Sequence, residues 1–220
     1  LLPTFYILYY NYFMRINRVI RTLVTSDFLL VSGFAVFGPV FAVFITQKIE
    51  GGTLAIIGFT AAIFQIVKSS LQIPIANYLD KNHGEKDDFY SLIIGSFLIA
   101  LVPFLYIFAF KPIHLYFINA IYGMGAAFAI PPWNAIFTRH IDKMHESTDW
   151  AIESVSIGIG AASAAALGGI LAEKFGFKIV FLVAGLVAIA GAITLIKIYS
   201  ELREKVGRGQ VFPEPGRKHH

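Results

Sequence analysis

The sequence predicts an all-α, polytopic membrane protein built from six transmembrane helices, and three observations carry that prediction. Hydrophobic residues fill 56% of the 220 positions and charged residues 15%, with a mean hydropathy of +0.67. Such a chain is too apolar to wrap a soluble core in polar surface. The apolar residues gather into six runs, each near the roughly 20 residues that cross about 30 Å of hydrocarbon. Lys and Arg fall almost entirely between these runs.

In chain order, residues 1–14 (LLPTFYILYYNYFM) are uncharged and tyrosine-rich but short for a span, so 1–26 reads as an interfacial and cytoplasmic segment. No basic region precedes that run and no small-residue cleavage site follows it, which argues against a signal peptide. The spans are expected at 28–46, 51–79, 89–110, 112–138, 150–172 and 179–196, forming one bundle over 27–199. Residues 200–220 mix charge with glycine and proline, cannot bury a core, and read as a mobile cytoplasmic tail.

Charge sets the orientation. Arg15, Arg18, Arg21, Lys81, Lys86, Arg139, Lys143 and the basic residues from Lys197 onward belong to one side, against Lys48, Lys111, Lys174 and Lys178 on the other. The positive-inside rule then places both termini in the cytoplasm of a bacterial-type cell membrane. This topology accounts for the pI near 9.2 better than a nucleic-acid surface does, because no basic amphipathic face is present. The chain has no cysteine, so disulfides and thiolate metal sites drop out.

Two charges stand inside the expected spans, Lys68 and Glu153. A charge at membrane depth costs several kcal/mol unless it is paired or wetted, so such residues mark cavities. Gln65, Ser69 and Gln72 share the helical face of Lys68, which points that face to a bundle interior or a water-filled cavity, and Pro74 is expected to bend the helix just beyond. Glu153, flanked by Ser154 and Ser156, is the candidate partner of Lys68 and a candidate for proton coupling. Trp133 and Asn134 are candidate lining near the cytoplasmic mouth, and Trp150 reads as an interfacial anchor. Asp87 and Asp88 fit the first turn of a helix, where carboxylates meet the positive dipole end. His140, Asp142, His145 and Glu146 crowd one loop, but no metalloprotease or hydrolase constellation accompanies them, so no metal or cofactor is implied.

The fifth span repeats small residues every fourth position: Ser156, Gly160, Ala164, Gly168, and beside them Ser154, Gly158, Ala162, Ala166. Such stripes let helices approach closely. The stretch GGILAEKFGFKIVF, 168–181, pairs Gly168 and Gly169 near a helix end and sets Gly176 at a tight reversal. It resembles the connection between the fifth and sixth helices of the major facilitator superfamily, often Gly-Gly-(Leu/Ile)-Leu-Ala-x-x-Phe-Gly-(Trp/Phe)-(Arg/Lys). In NAIYGMGAAFAIPPWNAIFTRH, residues 119–140, Gly123, Gly125, Ala126 and Ala127 match a second family pattern, while Asn119 and Tyr122 replace its usual Arg and Gln. In ANYLDKNHGEKDD, Asp80, Lys81, Gly84 and Lys86 are similar to the family's cytoplasmic loop motif, and Arg139 closes the same end. The family's antiporter signature is absent, since Ala164 and Ala165 stand where it has Gly-Pro.

The resemblance implies a major-facilitator-type bundle: one six-helix repeat where the family normally has two. It implies a half-size secondary active transporter of a small solute that works by alternating access. Lys68, Gln65, Ser69, Gln72, Asn119 and Asn134 would line the cavity, Asp80 would gate, and Gly123, Gly158, Gly160, Gly168, Gly169 and Gly176 would pack helices. A second bundle is required, a homodimer being the simplest source and a separate half the next. One half of a conventional twelve-helix transporter, or a non-transporting assembly module, are the alternatives. A membrane enzyme is disfavoured by the lack of a convergent acid, base and nucleophile.

Overall fold

The computed structural model describes residues 12–13, 16–81 and 85–202. Helix α1 (Arg18–Phe37) passes through a 3-10 turn (Gly38–Val40) into α2 (Phe41–Lys48). Then come α3 (Leu54–Lys81), α4 (Glu85–Tyr106), α5 (Pro112–His140), α6 (Glu146–Phe175) and α7 (Phe177–Thr194), the last running into a 3-10 stretch (Leu195–Glu201). Six segments are long and apolar enough to cross a membrane, with α1 and α2 together making the first (Arg18–Lys48). The expected interfacial segment 1–14 lies outside the described residues apart from Tyr12 and Phe13, as does the expected tail beyond Leu202.

The first span departs most from expectation. Asn17 caps α1, its side-chain oxygen accepting the Val19 N–H at 2.8 Å, so the helix starts ten residues before position 28. Val19, Ile20, Leu23 and Val24 bury this extension in the core, and the boundary expected at 26/27 falls inside a helix. Asp27 is thereby drawn into the first span, and Glu153 is not the lone carboxylate at depth. Pro39, which has no N–H to donate, coincides with the switch to 3-10 geometry near the far end of that span. By contrast α3 runs unbroken across Pro74.

Helices α6 and α7 meet at Gly176, with φ +77° and its N–H donating to Ala172 O at 3.0 Å. That backbone conformation strains any other residue, so the expected reversal is built at Gly176.

The helices form two layers. In front, α3 packs on α5, α5 lightly on α1, and α1 on α6; behind, α4 and α7 pack on each other and on α5 and α1 respectively. The seams close because small residues let backbones touch: a Cβ on Gly95 would lie 2.5 Å from Gly125 O, and one on Gly33 2.8 Å from Ala184 O. Toward Lys111 the core is aromatic, with the rings of Phe37, Phe44 and Tyr106 gathered on that of Phe181. Toward Arg139 it is built on Ile20, Leu23, Leu92, Ile136 and Phe137. The two ends of the front layer stay bare: 6% of the apolar window of α3 is buried and 22% of that of α6, against 50% for α4.

Candidate functional site

A cavity of about 400 Å³ opens between α1, α4, α5 and α6, in the half of the bundle that ends at Arg139. Helix α1 contributes Asp27 and Phe34, α5 contributes Tyr122, Trp133 and Asn134, and α6 contributes Trp150 and Glu153. Ser96 of α4 and Leu195 complete the inner wall. Asp27 and Glu153 face this cavity from neighbouring helices, close enough for their carboxyls to interact. What brings them together is the α1–α6 seam, where Gly160 sits against Phe28 and Ser32 and Gly168 against the Val36 backbone.

The remaining wall is aromatic. Phe34 stacks on Tyr122 with centroids 4.7 Å apart, Trp133 stacks on Phe137 at 4.9 Å, and Trp150 leans on Phe137 at 4.5 Å. Trp150 therefore lines the cavity on one side and, 43% exposed, keeps the free face that an interfacial anchor needs. Two polar atoms on the lining are buried without a hydrogen-bond partner among the described residues: Ser96 Oγ, on a residue 1% exposed, and Trp133 Nε1. Unmade bonds at buried polar atoms are costly, and both residues belong to the cavity lining.

Of the sequence candidates, Asn134 and Glu153 line this cavity. Asn119 does not: it is 5% exposed, and its amide donates to Tyr106 Oη at 2.8 Å and Leu115 O at 3.0 Å, so it serves as an internal strut between α4 and α5. Gln65, Lys68, Ser69 and Gln72 stand on α3 away from it, at the open edge of the front layer. Lys68 Nζ lies 5.7 Å from the Phe64 ring centroid, and that ring meets Tyr122 at 4.3 Å, so an aromatic ladder runs from Lys68 to the cavity wall. The bridge from Lys68 to Glu153 is not formed: Lys68 has no ion pair among the described residues, and Glu153 lies in the cavity with Asp27.

At the Arg139 end, Arg139 Nη1 pairs with Asp88 Oδ2 at 2.6 Å and Glu85 Oε1 at 3.3 Å, tying α5 to the first turn of α4. Asp88 thus has a specific partner beyond the helix dipole, and Glu85 joins it. Asp80, Lys81 and Lys86 are exposed on either side of the α3–α4 connection, and Gly84 lies outside the described residues. His140 turns inward, with Nδ1 3.0 Å from Ile136 O. Among the expected packing glycines, Gly123 meets the α3 backbone, its Cβ position 2.6 Å from Phe64 O and 3.1 Å from Lys68 N. Gly158 and Gly169 meet nothing within 4 Å, so the structure does not place them in a seam of this bundle. The two stripes of α6 divide cleanly: Ser156, Gly160, Ala164 and Gly168 are buried, whereas Ser154, Gly158, Ala162 and Ala166 are exposed.

Sequence reading passes over Asp27, Ser96 and the cavity role of Trp150. For Asp27 a signal existed, because Val19, Ile20, Leu23 and Val24 continue the helical apolar period upstream of it. Ser96 carries no local signal in an apolar run.

Six apolar helices in two layers, with a cavity open to one side, define an integral membrane protein of the transporter type. The model of the Major Facilitator Superfamily matches residues 23–217, and the chain belongs to that family of transporters. It is 23% identical over 168 residues to the uncharacterized MFS-type transporter MJ1560 of Methanocaldococcus jannaschii, covering 76% of this chain and 42% of that protein. The chain therefore spans about two fifths of that relative's length.

Proposed function

We propose that this chain is one bundle of a secondary transporter that moves a small solute by alternating access, completed by a second six-helix bundle across the bare ends of its front layer. The observation that carries the reading is a pair of faces unsuited to lipid. On α3, Gln65 and Ser69 are exposed and Lys68 and Gln72 partly so, and a charge at mid-depth has no place against hydrocarbon. On α6, the stripe from Ser154 to Ala166 offers the small-residue surface on which another helix packs closely, although lipid alone would tolerate it.

In this reading the cavity is half of the solute pathway. Asp80, exposed at the end of α3, contacts the partner bundle in the closed state, and Glu153 with Asp27 couples protonation to movement. The basic Arg139 end faces the cytoplasm. A second copy is the simplest partner. The decisive measurement is the mass of the nanodisc-embedded protein by native mass spectrometry or light scattering, followed by flux in proteoliposomes. A defined dimer supports the proposal; a monomer that stays inert when candidate second halves are supplied overturns it.

A further inference from the structure

Hydroxyls on these helices commonly bond to the carbonyl four residues back on their own helix: Thr25 to Arg21 O, Ser156 to Ile152 O and Thr194 to Ala190 O. Ser91 of α4 does not. It is 7% exposed, and its hydroxyl crosses to α5, donating to Phe128 O at 2.8 Å. The sequence of α5 explains that acceptor. In an α-helix Phe128 O takes the N–H of residue 132, and residue 132 is a proline, which has none. Pro131 withholds the neighbouring N–H from Ala127 O in the same way. In the apolar interior of a membrane such a carbonyl needs another donor, and a serine on a neighbouring helix is one that serves.

The bond lies directly behind the cavity. Leu92 and Ala129, the residues after Ser91 and Phe128, belong to the lining, and so do Trp133 and Asn134, which follow the two prolines. One turn along α4, Gly95 brings the two backbones together, since a Cβ there would lie 2.5 Å from Ala129 N as well as from Gly125 O. A helix bends most easily where proline breaks its ladder. Trp133 and Asn134 are the first residues carried by whatever course α5 takes there.

We propose that Ser91 is a positioning residue of the solute cavity: its hydroxyl replaces the donor that Pro132 lacks, sets the course of α5 through the proline pair, and so holds Trp133 and Asn134 on the cavity wall. Ser91 itself is not on the lining and acts through α5. The inference deepens the transporter reading and rests on it for the use of the cavity.

The chain has two tryptophans, Trp133 and Trp150, both on the lining, so Trp150→Phe leaves Trp133 as the single reporter. In that background, in nanodiscs, Ser91→Ala should move Trp133 emission to longer wavelength and raise its quenching by acrylamide. Ser91→Thr keeps a hydroxyl and should restore both. Pro132→Ala is the decisive partner, because alanine returns an N–H to Phe128 O within α5. In its presence Ser91→Ala should leave emission and quenching where Pro132→Ala alone puts them. Melting should follow the same pattern, with Ser91→Ala lowering the midpoint by about 2–4 °C, the worth of one hydrogen bond, and by much less beside Pro132→Ala. Should Ser91→Ala fail to fold, the double variant must fold, and failure of both overturns the proposal. A lowered midpoint with Trp133 emission unmoved makes Ser91 a mere strut and overturns the positioning role. An effect of Ser91→Ala that is equal with and without Pro132 overturns the replacement of its N–H. These readings need neither a solute nor a second bundle, so they stand or fall separately from the transporter reading, which fails on an inert monomer.

Discussion

Gly168 and Gly169 are neighbours on α6, yet their surroundings are opposite, which makes them an internal control for the packing of the cavity. A Cβ on Gly168 would stand 2.6 Å from the carbonyl carbon of Val36 and 3.0 Å from its Cα, with the carbonyl oxygen nearer still. These are backbone atoms of α1 and cannot swing aside, so alanine there forces α6 away from α1. A Cβ on Gly169 meets nothing within 4 Å. Both substitutions gain the same helix propensity, up to about 1 kcal/mol, so it cancels between them. What remains is the cost of overpacking, about 1–3 kcal/mol against Gly168→Ala. At about 2–4 °C per kcal/mol for a chain of this size, thermal melting followed by far-UV circular dichroism in nanodiscs should resolve the pair. Equal melting of the two variants would refute the close α1–α6 contact and with it the geometry of the carboxyl pair.

Asn119→Ala should destabilise by about 1–3 kcal/mol, since it strips the buried Tyr106 hydroxyl of its donor, and should leave solute binding unchanged; a binding defect in a stable variant would return Asn119 to the cavity. Arg139→Gln removes the guanidinium that bridges the buried carboxylates of Glu85 and Asp88. Its cost should be about 2–4 kcal/mol in the same melting assay, below the full penalty for a broken buried pair because the guanidinium is 32% exposed. Recovery of part of that stability in Arg139→Lys would separate charge from fork geometry. Asp80→Asn should leave expression and melting unchanged but shift the accessibility of cavity cysteines to membrane-impermeant reagents; identical labelling from both sides would remove Asp80 from the gate.

Helix count and class were legible because length and hydropathy alone decide them: each span must satisfy its own backbone within the bilayer, which leaves few options. The reversal at Gly176 was legible because few residues besides glycine tolerate its φ. The cavity was less so. Asp27 sits nine residues inside a helix whose polar start, with Arg18 and Arg21, looks like a loop to a hydropathy window, and its pairing with Glu153 is made by two helices far apart in sequence. Asn119 misled for the opposite reason, since a polar residue in a span has two ways to be satisfied, water or a neighbouring helix. Only the position of Tyr106 decides between them. Gly158 and Gly168 share one helix and one residue type, and what separates them is which face α1 occupies.

The layer order constrains how a second bundle can dock. The front layer reads α3, α5, α1, α6 from edge to edge, so a two-fold axis along the membrane normal sets α3 of one copy opposite α6 of the other. The two helices run antiparallel through the bundle, α3 reaching the Arg139 end at Lys81 and α6 leaving it at Glu146. Counted from that end at 1.5 Å per residue, Gln72 lies about 14 Å deep and Ser154 about 12 Å. Lys68 and Gly158 lie at about 20 and 18 Å, and Gln65 and Ala162 at about 24 Å each. The polar stripe of α3 thus matches the exposed small stripe of α6 in depth, and in the proposed homodimer Lys68 would meet a glycine and not a second lysine, which would avoid like-charge repulsion at mid-membrane. The chain has no native cysteine, so the arrangement can be read directly. Mixed Gln72→Cys and Ser154→Cys copies should cross-link under mild oxidation, as should Gln65→Cys with Ala162→Cys, whereas either α3 variant alone should stay monomeric on a denaturing gel. Efficient self-linking of Gln72→Cys would place α3 against α3, bring two Lys68 side chains together, and refute this docking of the copies.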